Sequence, residues 1–384
     1  MYAFTSRTGS TNDLTTPDRL LSGGRLEFSF NKHIKIGLNE VSMYDLALAT
    51  AEFDYTNHVG TADLNYKRKL GHNVLSLKLE GGMSSYSYTD NVNEVDTSYN
   101  DAFFDLGVDY KLTKPGLIIG LDVRQVGVLF ASPTAQTRRI NINATPGLFA
   151  SVKGGDRAQV LYDRFTSEDI YNNGITPNLM AFIPYYNNIN PYGNATPNRF
   201  VAGLSISSDT SKQSYNAKLD FNYGTELVGE GTKDKRGFIV VTGGSVIHIG
   251  NLIDSDRLLD VNFGVRIENT TRSGSAPVDL SSTLIDFGFS AEVLKKFDLL
   301  VGAKYFAASG NDFIGQRDGF NFVTGFEELN VDINEIIATG GMRIRFSKKQ
   351  SFSLNYNFVQ FTENTETLNS YNVGQLFFNY TGKF

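Results

Sequence analysis

Only four histidines are available for acid–base chemistry or metal binding: His33, His58, His72 and His248. The first three stand among Asn, Lys and Gly, in stretches that read as turns or loops. His248 closes a strand-like run just after Ser245, a pairing that a serine hydrolase would need. A spacing of three puts those side chains on opposite faces of a strand, so they cannot share a proton. No catalytic residue is therefore assigned, and the chain reads as non-enzymatic. Two oxygen-rich clusters, Asp90/Glu94/Asp96 and Asn311/Asp312/Asp318, carry the ligand types that hold Ca²⁺ but miss the spacing of a regular Ca²⁺ loop. Ca²⁺ in such loops is the one cofactor expectation. The Gly229–Lys235 stretch has glycines and lysines without phosphate-loop spacing and reads as a loop tip.

The more informative polar set is a series of charges placed mid-strand, where a soluble sheet seldom carries them. Asp105, Asp109, Asp220, Asp260 and Asp286 would share one face with Lys67, Lys78, Lys111, Lys218, Lys304, Arg266, Arg343 and Arg345. Rings of one sign would set ion selectivity in an open pore. The signs here are mixed, so a self-paired interior and a narrow pore both stay open.

The elements that must position these charges announce themselves by period-two alternation. Leu259, Val261, Phe263, Val265 and Ile267 alternate with Asp260, Asn262, Gly264, Arg266 and Glu268. Tyr215–Tyr223 and Ser351–Phe358 repeat the pattern, as does the stretch from Val373 to Phe384. Many of these strands reach about ten residues, the length that crosses a bilayer, whereas soluble strands average about five or six. The longest apolar runs fall far short of the roughly 20 residues of a membrane helix.

Counted back from the C-terminus, connectors alternate between short and long. Short ones fall at Ser347–Gln350, Leu294–Lys296, Asn251–Ser255, Asp209–Gln213, Thr113–Gly116 and Leu70–His72. Long ones are expected at Thr362–Ser370, Ala307–Asn334, Asn269–Ser281, Thr225–Lys235, Arg138–Asn198 and Ser84–Asn100. Taking Glu40–Asn57 as a further long loop, with Leu26–Phe30 and Ile34–Leu38 as a hairpin and Tyr2–Thr8 as the first strand, gives about 16 strands, with 14 as the alternative. The expected fold is all-β: a transmembrane antiparallel up-and-down β-barrel, one domain over residues 1–384.

Residues 145–198 break the pattern. They hold five of the nine prolines (Pro146, Pro177, Pro184, Pro191, Pro197) and cluster Tyr162, Phe165, Tyr171, Phe182, Tyr185, Tyr186 and Tyr192. A loop this long is usually functional or disordered. Turned inward it would be a plug or constriction; turned outward, a cap or partner surface. Arg157–Tyr171 could carry a short helix.

Composition limits the partners. A net charge of −6 and a pI near 5.4 argue against nucleic acid, and zero Cys removes disulfides and thiolate metal sites. A barrel must be exported, and the opening Met-Tyr-Ala-Phe-Thr-Ser has neither the basic nor the apolar region of a signal peptide, so upstream sequence is expected.

The closing run Leu376-Phe-Phe-Asn-Tyr-Thr-Gly-Lys-Phe384 resembles the C-terminal signature of bacterial outer-membrane barrel proteins, an alternating aromatic strand ending in Phe. The resemblance implies a multi-pass barrel in the outer membrane, in contact with its lipid. It also implies insertion by the barrel-assembly machinery, with Tyr380 and Phe384 in the assembly signal. The strands, rich in Tyr, Phe and Asn and free of Trp, resemble those of Bacteroidota barrels. The asparagine-proline-alanine start of fatty-acid transporters is absent, and no TonB-dependent plug domain is visible. The function expected is a porin-like channel for small hydrophilic solutes, narrowed by the long loop. The alternatives are an accessory subunit of an outer-membrane complex for secretion, motility or barrel assembly and, third, a barrel enzyme acting on lipid or protein.

Overall fold

In the computed structural model the described residues are 2–9, 18–46, 48, 51–132, 135, 185, 187–208, 214–255, 257–317, 323–347, 350–365 and 370–382. They form one antiparallel sheet of 16 strands in which every strand pairs with its neighbours in sequence. In order these are β1 (Tyr2–Gly9), β2 (Arg19–Ser29), β3 (Ile34–Asp45), β4 (Phe53–Leu70), β5 (Asn73–Asp90), β6 (Val95–Leu112), β7 (Leu117–Val126) and β8 (Arg199–Ser208). They continue as β9 (Tyr215–Thr225), β10 (Gly237–His248), β11 (Leu259–Arg272), β12 (Val278–Leu294), β13 (Phe297–Arg317), β14 (Val323–Arg345), β15 (Gln350–Glu363) and β16 (Tyr371–Gly382). Among the described residues no pairing joins β1 to β16. Among the described residues the complete helical elements are a single turn, α1 (Ile249–Leu252), and a 3₁₀ turn at Gly193–Ala195, and no described helix is long and apolar enough to cross a membrane.

Directly opposed residues share a face, so the register sorts the whole sheet into two surfaces. One is apolar and exposed, with Leu38, Leu121, Phe221, Phe263, Phe287 and Phe378 among its side chains. The other carries the charges and most of the buried polar groups, including Asp260, Asp298, Lys304 and Arg343. Exposed apolar side chains on one face and buried charges on the other invert the arrangement of a soluble sheet.

Turns at one end are tight. Gly71–His72 joins β4 to β5, and Gly71 sits at φ 62°, which suits the first position of a two-residue hairpin turn. At the other end several expected long loops are largely strand. Ser84–Asn100 shrinks to the turn 91–94, Asn269–Ser281 to 273–277 and Glu40–Asn57 to 46–52. Ala307–Asn334 is mostly the ends of β13 and β14, with only 318–322 between them. The physical reason is that both faces turn polar there. Alternation fades while ladder hydrogen bonding continues.

Candidate functional site

All the mid-strand charges singled out from sequence lie on the charged face. Across β4, β5 and β6 one row aligns three carboxylates, Asp63, Glu80 and Asp105, and Arg124 of β7 opposes Asp105. Lys78 occupies the next row opposite Asn65, while Lys67, Asp109 and Lys111 follow toward the short turns. Arg25 forks onto Asp63 at 2.7 and 3.1 Å. Together with Lys78, Glu80 and Asp105 that pair lines a cavity of about 290 Å³.

Elsewhere on this face opposite signs meet. Lys218 lies 2.8 Å from Asp220, and Asp286 opposes Lys304 in the ladder. Arg266 contacts Glu268 at 2.7 Å. Arg343 and Arg345 converge on buried Asp298 at 2.7 and 2.8 Å, and Arg345 also reaches Glu292 at 3.0 Å. His248 is bound to Asp260 at 2.9 Å, while Ser245 falls on the apolar face.

The feature that organises the face is the last part of the Pro-rich stretch. Residues 187–192 lie against it from β7 to β13. Glu268 of β11 accepts the amide hydrogens of both Asn188 (2.8 Å) and Ile189 (2.7 Å). The Asn188 amide donates to Thr270 and to Asp312 at 3.1 and 2.9 Å. Arg199 donates to the carbonyls of Asn188 and Ile189, and Arg266 to Asn187. Arg124 reaches Asn190 and Asn194. Ile189 fills an apolar pocket of Val201, Phe238 and Val240, and Tyr185 packs on Phe306.

Beyond the strand ends this docking merges with a buried ion network. Arg236 contacts Glu226 at 2.8 Å and Asp312 at 2.9 Å, and donates to the carbonyl of Phe313. Burial works against the charge on Arg236, yet Asp312 and Glu226 hold its pKa above the ordinary arginine value. Asp312 is thus committed to an arginine and to Asn188, and Asp90 accepts the backbone hydrogens of the turn at Val92 and Asn93. Among the described residues no group of three or more His, Asp or Glu is placed to hold a metal ion.

Of the aromatic loop candidates, Tyr185 packs on Phe306 of the charged face and Tyr192 is buried. Tyr162, Phe165, Tyr171, Phe182 and Tyr186 lie outside the described residues, as do Asp318, the Arg157–Tyr171 helix and Phe384. Tyr380 stands exposed on the apolar face of β16. Sequence reading missed Arg124, Arg199, Arg236, Glu226 and Glu268. The signal that could have found them is the amide-rich run Asn187-Asn-Ile-Asn190, which needs hydrogen-bond partners wherever it is buried.

His58 is a correction. It was expected in a loop but sits inside β4 on the apolar face, opposite Ser42 of β3. Its polar neighbours Thr56 and Gly60 interrupt the apolar alternation that would have marked a strand there. His33 and His72 do lie at turns. No family model and no curated protein matches this chain.

Proposed function

We propose that the chain is an outer-membrane β-barrel whose charged face lines the lumen, and that it is a channel for small hydrophilic solutes narrowed by residues 185–198. Strands with an exposed apolar face and a buried charged face suit lipid outside and water inside. Closing the sheet would remove its two edges, the only spanning solution open to strands. The observation that carries the channel reading is the docking of Asn187–Tyr192 on the charged face through Glu268, Arg199 and Arg124. A segment held there covers β7–β13 while the cavity beside Arg25, Lys78 and Glu80 stays open. In planar bilayers the protein is expected to conduct, and replacing 187–192 with a Gly/Ser linker of equal length is expected to raise the conductance. Silence of the parent, or an unchanged step size in the variant, would sink the reading.

A second reading, an accessory subunit of a larger outer-membrane assembly, draws on the β13–β14 ribbon. Ile314–Gln316 pairs with Gly325–Glu327 beyond the last pairings of β12 and β15 and past the buried Asp312. Such a projection suits a partner surface. Gentle detergent extraction followed by mass spectrometry tests it, and recovery of the barrel alone argues against it.

A further inference from the structure

Ser42 Oγ lies 2.6 Å from His58 Nδ1, and the two residues are directly opposed on β3 and β4. Glu40, two residues before Ser42 on the same face, accepts a hydrogen bond from the Ser42 hydroxyl, and its Oε1 is 3.8 Å from the same His58 nitrogen. This trio stands on the apolar face, next to exposed Leu38 and Leu26. Among the described residues of β2–β16, that face otherwise carries acidic, basic or histidine side chains only toward strand ends. Arg68 sits beside a short turn, and Asp54, Asp96, Asp279, Glu328 and Asp332 lie toward the long connections. Ionisable groups facing lipid are costly and mark function by default.

Access and depth agree with that. Glu40 is flanked across the ladder by Gly24 and Gly60, and a side chain at Gly60 would meet nothing within 4 Å. Ser42 itself is buried beneath the exposed side chains of Glu40 and His58, and the free space lies beside Glu40 over Gly60. Ser42 is eight residues up β3 from Ile34. At about 3.3 Å per residue and a tilt of about 40° it stands roughly 20 Å up an apolar band about 25 Å tall. That is within about 5 Å of the edge of the band, where lipid acyl esters lie.

We propose that Ser42, His58 and Glu40 form a hydrolytic site that cleaves acyl esters of membrane lipids at the barrel's outer wall. For attack the Ser42 hydroxyl turns its hydrogen from Glu40 to His58 Nδ1, 2.6 Å away, and Ser42 Oγ adds to the ester carbonyl carbon as that proton passes to the imidazole. The bond to the lipid alcohol oxygen breaks, His58 returns the proton to that oxygen, and the acyl group remains on Ser42. Water, deprotonated by His58, then hydrolyses the acyl-serine, releasing fatty acid and restoring the hydroxyl. Glu40 is a positioning residue that orients the hydroxyl and balances the imidazolium. Backbone N–H groups here are committed to the ladder, so the hydroxyl of Ser22, directly opposite Ser42 on β2, is the neighbouring donor for the oxyanion.

The inference rests on the barrel part of the reading above and not on conduction. The test reconstitutes the whole protein in vesicles of phosphatidylethanolamine and phosphatidylglycerol, and in parallel in vesicles containing lipid A. Released fatty acid and labelling by a fluorophosphonate probe are measured. The site is expected to label at Ser42 and to release acid from at least one vesicle type, which names the source. Ser42→Ala is expected to abolish both signals, and His58→Asn to lower release about 100-fold or more. Glu40→Gln is expected to lower kcat with KM unchanged. Heat-modifiable migration on gels, which reports the barrel independently, stays as in the parent. Absence of label and of acid from both vesicle types in folded protein overturns the proposal. So does release undiminished in Ser42→Ala.

Discussion

Replacing Glu268 with Ala removes the acceptor for the amide hydrogens of Asn188 and Ile189 and the ion pair to Arg266. Hydrogen bonds to a charged acceptor contribute about 1.5–3 kcal/mol each, so losing two costs at least about 3 kcal/mol of docking energy. At 1.4 kcal/mol per decade, that raises the undocked population of the segment about a hundredfold. Glu268→Gln keeps a neutral acceptor of roughly half the strength, which corresponds to about tenfold. Amide hydrogen exchange reads this directly, because Glu268 is the acceptor for both amides. Exchange at Asn188 and Ile189 is expected to accelerate about a hundredfold in the Ala variant and about tenfold in the Gln variant, with higher channel conductance in the same order. Rates within about threefold of the parent in Glu268→Ala would refute the reasoning, since Arg199, Arg124 and the Ile189 pocket would then hold the segment alone.

Two further perturbations address the rest of the charged face. Arg236→Gln takes the arginine from buried Asp312 and leaves Glu226 only Arg199 at 3.7 Å, and breaking a buried pair costs about 3–5 kcal/mol. The midpoint of thermal unfolding, followed by loss of the folded gel mobility, is expected to fall clearly, and an unchanged midpoint would contradict the network. Glu80→Gln removes the middle of three aligned carboxylates, relieving like-charge opposition of about 0.2–1 kcal/mol while shifting the reversal potential toward anions. An unshifted potential would mean that the row does not line the conducting path.

The strand pattern was legible wherever one face meets an apolar environment, since that demand writes the alternation. Leu259–Arg272 and Tyr371–Gly382 are strands for this reason. Where the demand lapses, the pattern lapses too, and the ends of β5, β6, β13 and β14 looked like loops. His58 was hidden by the same logic, for a polar patch on the apolar face erases the signal of its own strand. The partners of Asn187–Ile189 were illegible for another reason. Contacts such as Asn188 to Glu268 join residues 80 apart, which no local period encodes. The apolar side chains of the charged face, Leu300, Phe306 and Ile337, were likewise unannounced.

The charged face is not uniform, and its differences bear on where water runs. From β7 to β13 many of the polar groups are engaged by the docked segment and by ion pairs. On β15 the amides of Asn355 and Asn357 are buried, at 1% and 0% exposure, so that stretch is not a surface open to solvent. The accessible part of the face is that of β2–β6, where the cavity beside Arg25, Lys78 and Glu80 lies clear of the segment at 187–192. On the channel reading a solute's path would run there, past Lys78, Glu80 and Asp105, and not along β10 or β11.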